Sequence, residues 1–238
     1  PSQLWLHPNV TGVAQNVGIA ENLNLIRTLH PEAPAVVILT DNTLNGQAYE
    51  ERVRQLTKRY GLEERAIYPN EMNSATLGSI RRLLRDVPEG SAIYYLAFDL
   101  EATGRAVTPA EVFSVLDTRK DLPVYVSSTT YLSAGGVGGK LVSPERHGVQ
   151  AAKLTERILT GTPPEEIPVI TRNTGEYIFD AQQLGKHNIL LSELPRGSVI
   201  TNTLLERLSG NRHAIVTLTA TIAALLISLL AVLAINRV

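Results

Sequence analysis

The sequence predicts an α/β protein with a parallel sheet, followed by one C-terminal transmembrane helix. First, short apolar runs alternate with amphipathic segments of about 10–15 residues, which is the pattern of repeated β–α–β units. Second, the strongest runs, at 35–40, 91–98 and 122–128, are continuously apolar, as are strands covered by helices on both faces. Third, the 22 residues 214–235 contain no charge, Pro or Gly. As a helix they would extend roughly 33 Å, enough to cross a hydrocarbon core of about 30 Å.

The first half of the chain contains five predicted elements. Apolar side chains recur at helical spacing before Pro31 and Pro34, and Gly61 follows a charged amphipathic segment, so these residues mark helix ends. In order, the elements are a helix over 19–29, a strand over 35–40, a helix over 46–60, a weaker strand over 65–70 and a helix over 74–87.

The second half continues the alternation. Thr108 followed by Pro109 is typical of a helix start, because the hydroxyl caps free amides and proline suits the first helical position. In order, the elements are a strand over 91–98, a helix over 108–118, a strand over 122–128, a helix over 145–161, a strand over 166–172, and a strand leading into a short helix over 176–189.

Polar side chains follow each of the three strong strands. They are Asp41, Asn42 and Thr43 after the first, Asp99 after the second, and Ser128, Thr129 and Tyr131 after the third. Right-handed crossovers bring these loops to one edge of the sheet, where ligands of such folds bind. Helix amides, an acidic group and an aromatic ring suit a small amphoteric solute such as an amino acid. The alternative is that the first three residues only cap the following helix.

The composition excludes several functions. The chain has 22 basic and 23 acidic residues and no basic excess, so it lacks the electrostatic signature of a nucleic-acid-binding protein. It contains no Cys, which excludes disulfides, thiolate catalysis and Cys-based zinc sites. The histidines are scattered, which argues against a metal site. In the Gly-rich segment 135–141, Leu141 stands where a phosphate loop needs Ser or Thr, so we predict a flexible loop and no nucleotide. We expect no cofactor and no enzymatic activity.

Several segments together resemble one protein family. They are PNVTGV (8–13), ENLNLIRTLHPEAPAVVIL (21–39), GGVGGKL (135–141), HGVQAAKLTERILTGTPPEEIPVI (147–170) and YIFDAQQLGKHNILLSELPRGSVI (177–200). Their order is similar to that in periplasmic-binding-protein-like sensor domains. Those domains are related to ABC-transporter substrate-binding proteins and occur outside the membrane in bacterial receptors and sensor histidine kinases. The resemblance covers nearly the whole chain before residue 201.

The resemblance implies a periplasmic-binding-protein-like lobe of type I with the remnant of a second lobe. Family members hold a ligand between two lobes that the chain crosses more than once. On this basis residues 1–12 end the first lobe, 13–165 form an α/β lobe, 166–200 return to the first lobe, and 201–213 link to the membrane helix. We therefore expect most of the N-terminal lobe and an export signal to precede Pro1, unless the protein is a reduced form.

The predicted membrane helix has two notable features. Hydroxyls such as those of Thr221 and Ser228 can bond to carbonyls one turn earlier, so they do not prevent insertion. Small residues recur at three- and four-residue spacing and would allow close packing of another helix. They are Ala220, Ala223, Ala224 and Ser228.

Two functions remain open at this stage. In the first, a domain anchored in the bacterial inner membrane binds a solute on the periplasmic side and signals through its helix to a cytoplasmic module. In the second, the chain is a non-catalytic accessory subunit of a respiratory or photosynthetic membrane complex, docked by that helix. The expected partners are the lipid bilayer, other membrane subunits or a signalling module, and a small solute. The missing lobe favours the second function, and the resemblance favours the first.

Overall fold

The computed structural model describes residues 7, 9–14, 17–70, 74–171, 175–204, 206, 216–217, 221–222, 224–225 and 228. The chain divides into two compact units, Pro1–Val199 and Ile200–Val238. The first unit contains the α/β body.

The described residues form seven α-helices and seven strands. The helices are α1 (Ile19–Leu29), α2 (Leu44–Tyr60), α3 (Leu77–Asp86), α4 (Pro109–Leu116), α5 (Thr129–Leu132), α6 (Pro144–Leu159) and α7 (Ala181–Lys186). The strands are β1 (Val36–Leu39), β2 (Ala66–Ile67), β3 (Ala92–Tyr95), β4 (Val124–Val126), β5 (Gly138–Leu141), β6 (Glu176–Asp180) and β7 (Val199–Thr201).

The strands form one sheet in the order β2-β1-β3-β4-β5-β6-β7. The pairs from β2 to β5 are parallel, whereas β5 and β6 pair antiparallel, with Gly138 opposite Phe179. Every residue of β1, β3 and β4 is buried, as the continuous apolar runs predict. The α/β prediction with a largely parallel sheet is confirmed.

Helix starts follow from local side chains. Thr43, Thr76, Thr108 and Ser143 each accept a hydrogen bond from a backbone amide of the first turn of the helix that follows. At α4 the cap is reciprocal, because the Glu111 carboxylate accepts from the Thr108 amide at 2.7 Å. These caps set where each helix leaves the edge of the sheet.

The prediction of a strand over 166–172 was wrong. Residues Pro164–Glu166 form a 3₁₀ turn, and the only pairing in the described part of this segment is a single parallel bridge between Val13 and Ile170. Pro168 explains the difference, because proline has no amide hydrogen to donate to a ladder.

The prediction of a flexible Gly-rich loop over 135–141 was also wrong, because Gly138–Leu141 is β5, inside the sheet. A Cβ at Gly138 would collide with the Ile178 carbonyl oxygen of the neighbouring strand, and its φ of 136° disfavours other residues. The glycines therefore allow two strands to approach closely.

The segment 166–200 contributes β6 and α7, and β6 lies in the same sheet as β1–β5. The sheet therefore extends beyond residue 165, which is the predicted end of the α/β lobe.

Most of the predicted membrane helix, including Ala220 and Ala223, lies outside the described residues. Within the described residues, no helix combines the length and apolarity needed to span a bilayer. The described residues of the stretch 214–235 are helical and exposed. The expected hydroxyl bonds occur there, from Thr221 Oγ1 to the Thr217 carbonyl at 2.8 Å and from Ser228 Oγ to the Leu225 carbonyl at 2.8 Å.

Candidate functional site

The sheet order creates a crevice at the carboxyl ends of β1 and β3. These strands are neighbours, but β1 continues outward through α2 to β2, while β3 continues through α4 to β4 on its other side. At such a switch point the loops diverge and leave a crevice, which is where open parallel sheets bind ligands.

A cavity of about 400 Å³ lies at this edge, and we refer to it as the sheet-edge cavity. Its volume is in the range typical of small-molecule sites. It is lined by Val17, Thr43, Asn45, Tyr49, Leu96, Ala97, Asp99, Pro109, Ser127, Ser128, Thr130, Tyr131 and Pro144.

Asp99 provides the negative charge of the cavity, and within the described lining it is the one ionisable acid. Its side chain is exposed, so it can reach a ligand. Partial burial raises the pKa of the Asp99 carboxyl above its usual range, and the charge of nearby Asp41 adds to the rise. A cationic ligand group beside Asp99 would relieve that repulsion.

Three helices begin at the cavity. Thr43 is the N-cap of α2, Pro109 is the first residue of α4, and Pro144 is the first residue of α6. The N-terminal end of a helix carries partial positive charge and free amides, which favour an anionic group such as a carboxylate. The cavity therefore combines one acidic side chain with positive helix ends.

Aromatic rings form one wall. The Tyr131 ring lies 4.4 Å from the buried Tyr95 ring, centroid to centroid, and Tyr95 in turn meets Phe113 edge-on at 5.7 Å. Burial raises the pKa of the Tyr131 hydroxyl to about 12, so this hydroxyl is neutral at physiological pH. Tyr49, on α2, supplies a second ring. These rings can pack against an apolar or aromatic ligand side chain.

The structure brings Thr43, Asp99, Ser128 and Tyr131 of the predicted site residues to the cavity. Their contact with a ligand remains a prediction. The other three predicted residues, Asp41, Asn42 and Thr129, are not among the residues that line it.

Local structure accounts for two of these placements. Thr43 caps α2 through a bond from the Gly46 amide at 3.0 Å, as the capping alternative expected, while it also faces the cavity. Thr129 begins α5, and its amide donates to the Val142 carbonyl at 3.1 Å.

Sequence reasoning missed several lining residues. Ser143 followed by Pro144 repeats the helix-start signal of Thr108 and Pro109, so it could have placed the start of α6 at this edge. No comparable signal marks Tyr49, because the charged helix around it carries no motif. The remaining missed residues are Val17, Asn45, Leu96, Ala97, Pro109, Ser127 and Thr130.

Within the part of the chain that the structure describes, no cluster of His, Asp and Glu could hold a metal ion. The described lining of the cavity offers a carboxylate, hydroxyl groups and aromatic rings.

Comparison with known proteins gives a consistent picture. Residues 3–194 match the family model for ABC transporter substrate binding proteins. A tyrosine-binding protein from Clostridioides difficile is 23% identical over an alignment of 193 residues, and the match covers 76% of this chain and 52% of that protein. The chain thus spans about half the length of this curated relative.

Solved structures show the same fold. An ABC domain in complex with L-Trp from Streptococcus pneumonia superposes with a TM-score of 0.64 at 21% identity, covering 84% of this chain and 68% of that one. A conserved domain protein from Vibrio cholerae gives a TM-score of 0.61 at 18% identity, covering 80% of this chain and 63% of that one. A ligand-free, open substrate binding protein with adhesive properties from Clostridium difficile gives 0.57 at 16% identity, covering 84% and 66%.

Proposed function

Because this chain belongs to the family of ABC transporter substrate-binding proteins, we propose that it binds a free amino acid at the sheet-edge cavity. The observation that carries this proposal is the composition of the cavity, whose lining combines Asp99, the starts of three helices and two tyrosine rings. An amino acid carries a cation, an anion and a side chain on one small skeleton, which matches those three features.

The proposed binding mode assigns one role to each feature. The ammonium group of the ligand pairs with the Asp99 carboxylate, and the ligand carboxylate lies at the positive N-terminal ends of the helices that begin at the cavity. The side chain packs against Tyr49 and Tyr131. The protein is a binder without catalytic chemistry, as the non-enzymatic nature of its family supports.

The relatives guide the choice of amino acid. One relative is a tyrosine-binding protein, and one structural neighbour was solved with L-Trp. Since the cavity of this chain also has aromatic walls, L-tyrosine and L-tryptophan are the first ligands to test.

Calorimetric titration of the chain with each amino acid tests the proposal. We expect saturable binding that weakens at least about 10-fold in Asp99→Asn, because a charge-assisted hydrogen bond is lost. Asp117→Asn is the matched control, since Asp117 is an exposed acid outside the cavity. The proposal fails if neither L-tyrosine, L-tryptophan nor any other standard amino acid binds, or if the two variants behave alike.

We further propose that residues 214–235 form a membrane anchor, with the α/β body on the periplasmic side of a bacterial inner membrane and a signal passing through the helix. The uncharged length of the stretch supports this assignment. Carbonate washing of membranes that contain the full chain should leave it bound, and deletion of 214–235 should release it. Release of the full chain by carbonate would contradict the anchor.

An accessory subunit of a membrane complex is the second candidate. One observation favours it: α6 exposes Val149 and Leu159, which are 51% and 81% accessible, and protein surfaces that bind partners often carry such residues. Purification from native membranes separates the two functions. Co-purification with a complex in fixed ratio, together with failure to bind amino acids, would favour the accessory role.

A further inference from the structure

Asp41 is a buried carboxylate with an unusual set of partners. Its accessibility is 0%, and within the described residues no Lys, Arg or His forms an ion pair with it. Three donors hold it instead. Oδ1 accepts from the Thr43 amide at 3.0 Å and from the Thr43 hydroxyl at 2.6 Å, and Oδ2 accepts from the Asp99 amide at 2.8 Å. Buried carboxylates need such donors, because desolvation otherwise disfavours their charge.

The two carboxylate oxygens of Asp41 bind different loops. Thr43 belongs to the loop after β1 and Asp99 to the loop after β3, and both residues line the sheet-edge cavity. Asp41 itself does not line it. A single side chain behind the cavity therefore sets the separation of two residues at its surface.

The start of α2 is shaped around this carboxylate. A Cβ at Gly46 would collide with Asp41 Oδ1 and with its carbonyl oxygen, so only glycine leaves room for the side chain. The Gly46 amide also donates to Thr43 Oγ1, which in turn donates to Asp41. The hydrogen bonds thus run continuously from the first turn of α2 to the Asp99 amide.

We propose that Asp41 is the positioning residue of the ligand site, and that it determines selectivity for ligands with a cationic amine by fixing the Asp99 loop against the start of α2. This inference rests on the proposed function. Asp41 acts through Asp99 and contacts no ligand.

Selectivity for a cationic amine follows from the charge of Asp41 and from its hydrogen bonds. The charge of Asp41 adds to that of Asp99, so the cavity presents a stronger negative potential to an amine than Asp99 alone would. Replacing Asp41 by Asn removes this charge and places an amide donor against either the Thr43 or the Asp99 amide. One of the two backbone amides therefore loses its acceptor, and the Asp99 loop is no longer fixed against the start of α2.

The test compares two ligands on the full chain. L-tyrosine carries the amine, and 3-(4-hydroxyphenyl)propanoate is the same molecule without it. In Asp41→Asn we expect the Kd for L-tyrosine to rise about 10-fold while the Kd for the amine-free analogue changes less than about 3-fold. The preference for the amine would thereby fall. A residue with only a structural role would weaken both ligands equally.

Gly46→Ala is the second variant, because it displaces Asp41 without changing any charge. It should also reduce the preference for the amine. Gly148→Ala is its matched control, since Gly148 lies within α6 and an added Cβ there meets nothing within 4 Å. The control should bind both ligands as the unmodified chain does.

The outcomes separate the two proposals. If the unmodified chain binds L-tyrosine and both Asp41→Asn and Gly46→Ala keep its preference for the amine, this inference is overturned and the proposed function stands. If only Gly46→Ala folds, its ligand preference alone decides. If the unmodified chain binds no amino acid, both proposals are overturned.

Discussion

Asn22 is the residue on which the packing of α1 against the sheet depends most directly. Its side chain is fully buried, and its amide group binds both polar atoms of the Lys140 backbone, accepting from the amide at 2.6 Å and donating to the carbonyl at 3.1 Å. It also donates to the Tyr94 hydroxyl at 3.2 Å. One side chain therefore joins a helix, β5 and β3.

Asn22→Ala should lower the free energy of unfolding by about 2–3 kcal/mol, because it leaves the Lys140 amide and carbonyl without this partner in the interior. Urea denaturation measures the change. Asn24→Ala is the control on the same helix, since Asn24 is exposed and its side chain accepts a hydrogen bond from exposed Arg27, and it should cost less than about 0.5 kcal/mol. Equal losses in the two variants would contradict this role for Asn22.

His187 makes the stability of the protein depend on pH. The pKa of its imidazole is lowered to about 4, mainly by burial and also by the positive charge of Lys186 and by nearby His30, against an opposing effect of Asp121. The folded pKa lies below the unfolded value of 6.5, so the unfolded chain binds more protons between these values. The contribution of neutral His187 to the free energy of unfolding is therefore complete above pH 6.5 and is lost as the pH falls towards 4.

We therefore expect the melting temperature of the unmodified chain to fall between pH 6.5 and 4, and to fall less steeply in His187→Gln. Differential scanning calorimetry over this range gives both slopes. Two parallel profiles would show that the imidazole is not the group responsible.

At the residue scale, the sequence located four residues that line the cavity. It could not distinguish these residues from buried ones that support the cavity from behind. Asp41 and Asp99 both follow strong strands, yet one is buried behind the cavity and the other faces it. That difference depends on how the loops after β1 and β3 pack in the tertiary structure, and no local sequence pattern determines this packing.

At the scale of elements, β5 is the most instructive case. Its residues are GGKL, and glycine is a poor strand former, so propensity predicted a loop. The strand exists because it pairs with β4 and β6, and the absence of a side chain at Gly138 lets β6 approach closely. Strands such as β1 and β3 were predictable, since burial on both faces leaves a continuous apolar run.

Gly138→Ala should destabilise the protein by about 3 kcal/mol, because the new methyl group collides with β6 and alanine is strained at this positive φ. Chemical denaturation should show the loss. Gly185 is an exposed position of α7, where an added Cβ meets nothing within 4 Å, so Gly185→Ala should instead be neutral or stabilising by up to about 1 kcal/mol. A stable Gly138→Ala variant would mean that β5 and β6 can separate at little cost.

At the scale of the whole molecule, the ligand site is a property of strand order. The alternation of elements predicted parallel strands, but it did not determine that β1 and β3 would be neighbours with diverging connections. The antiparallel pairing of β6 also could not be predicted, because its partner is β5, whose glycine-rich sequence does not indicate a strand.

The α/β unit should fold and bind without the rest of the chain, since residues up to Val199 form one compact unit. A variant ending at Thr203, which keeps β7, should unfold cooperatively. L-tyrosine at 100 times its Kd should stabilise it by about 2.7 kcal/mol, as it should the full chain. Thermal unfolding with and without ligand measures this. If the full chain unfolds cooperatively but the shortened chain does not, the C-terminal unit has a role in folding.

The bridge between Val13 and Ile170 places two distant points of the chain side by side. The Ala14 amide donates to the Ile170 carbonyl at 2.8 Å, and the Ile170 amide donates to the Gly12 carbonyl at 2.9 Å. The intervening polypeptide therefore leaves and returns at nearly the same place. Because β6, which follows this interval, pairs with β5 inside it, the interval should not fold as a free-standing unit if it is excised at these two points.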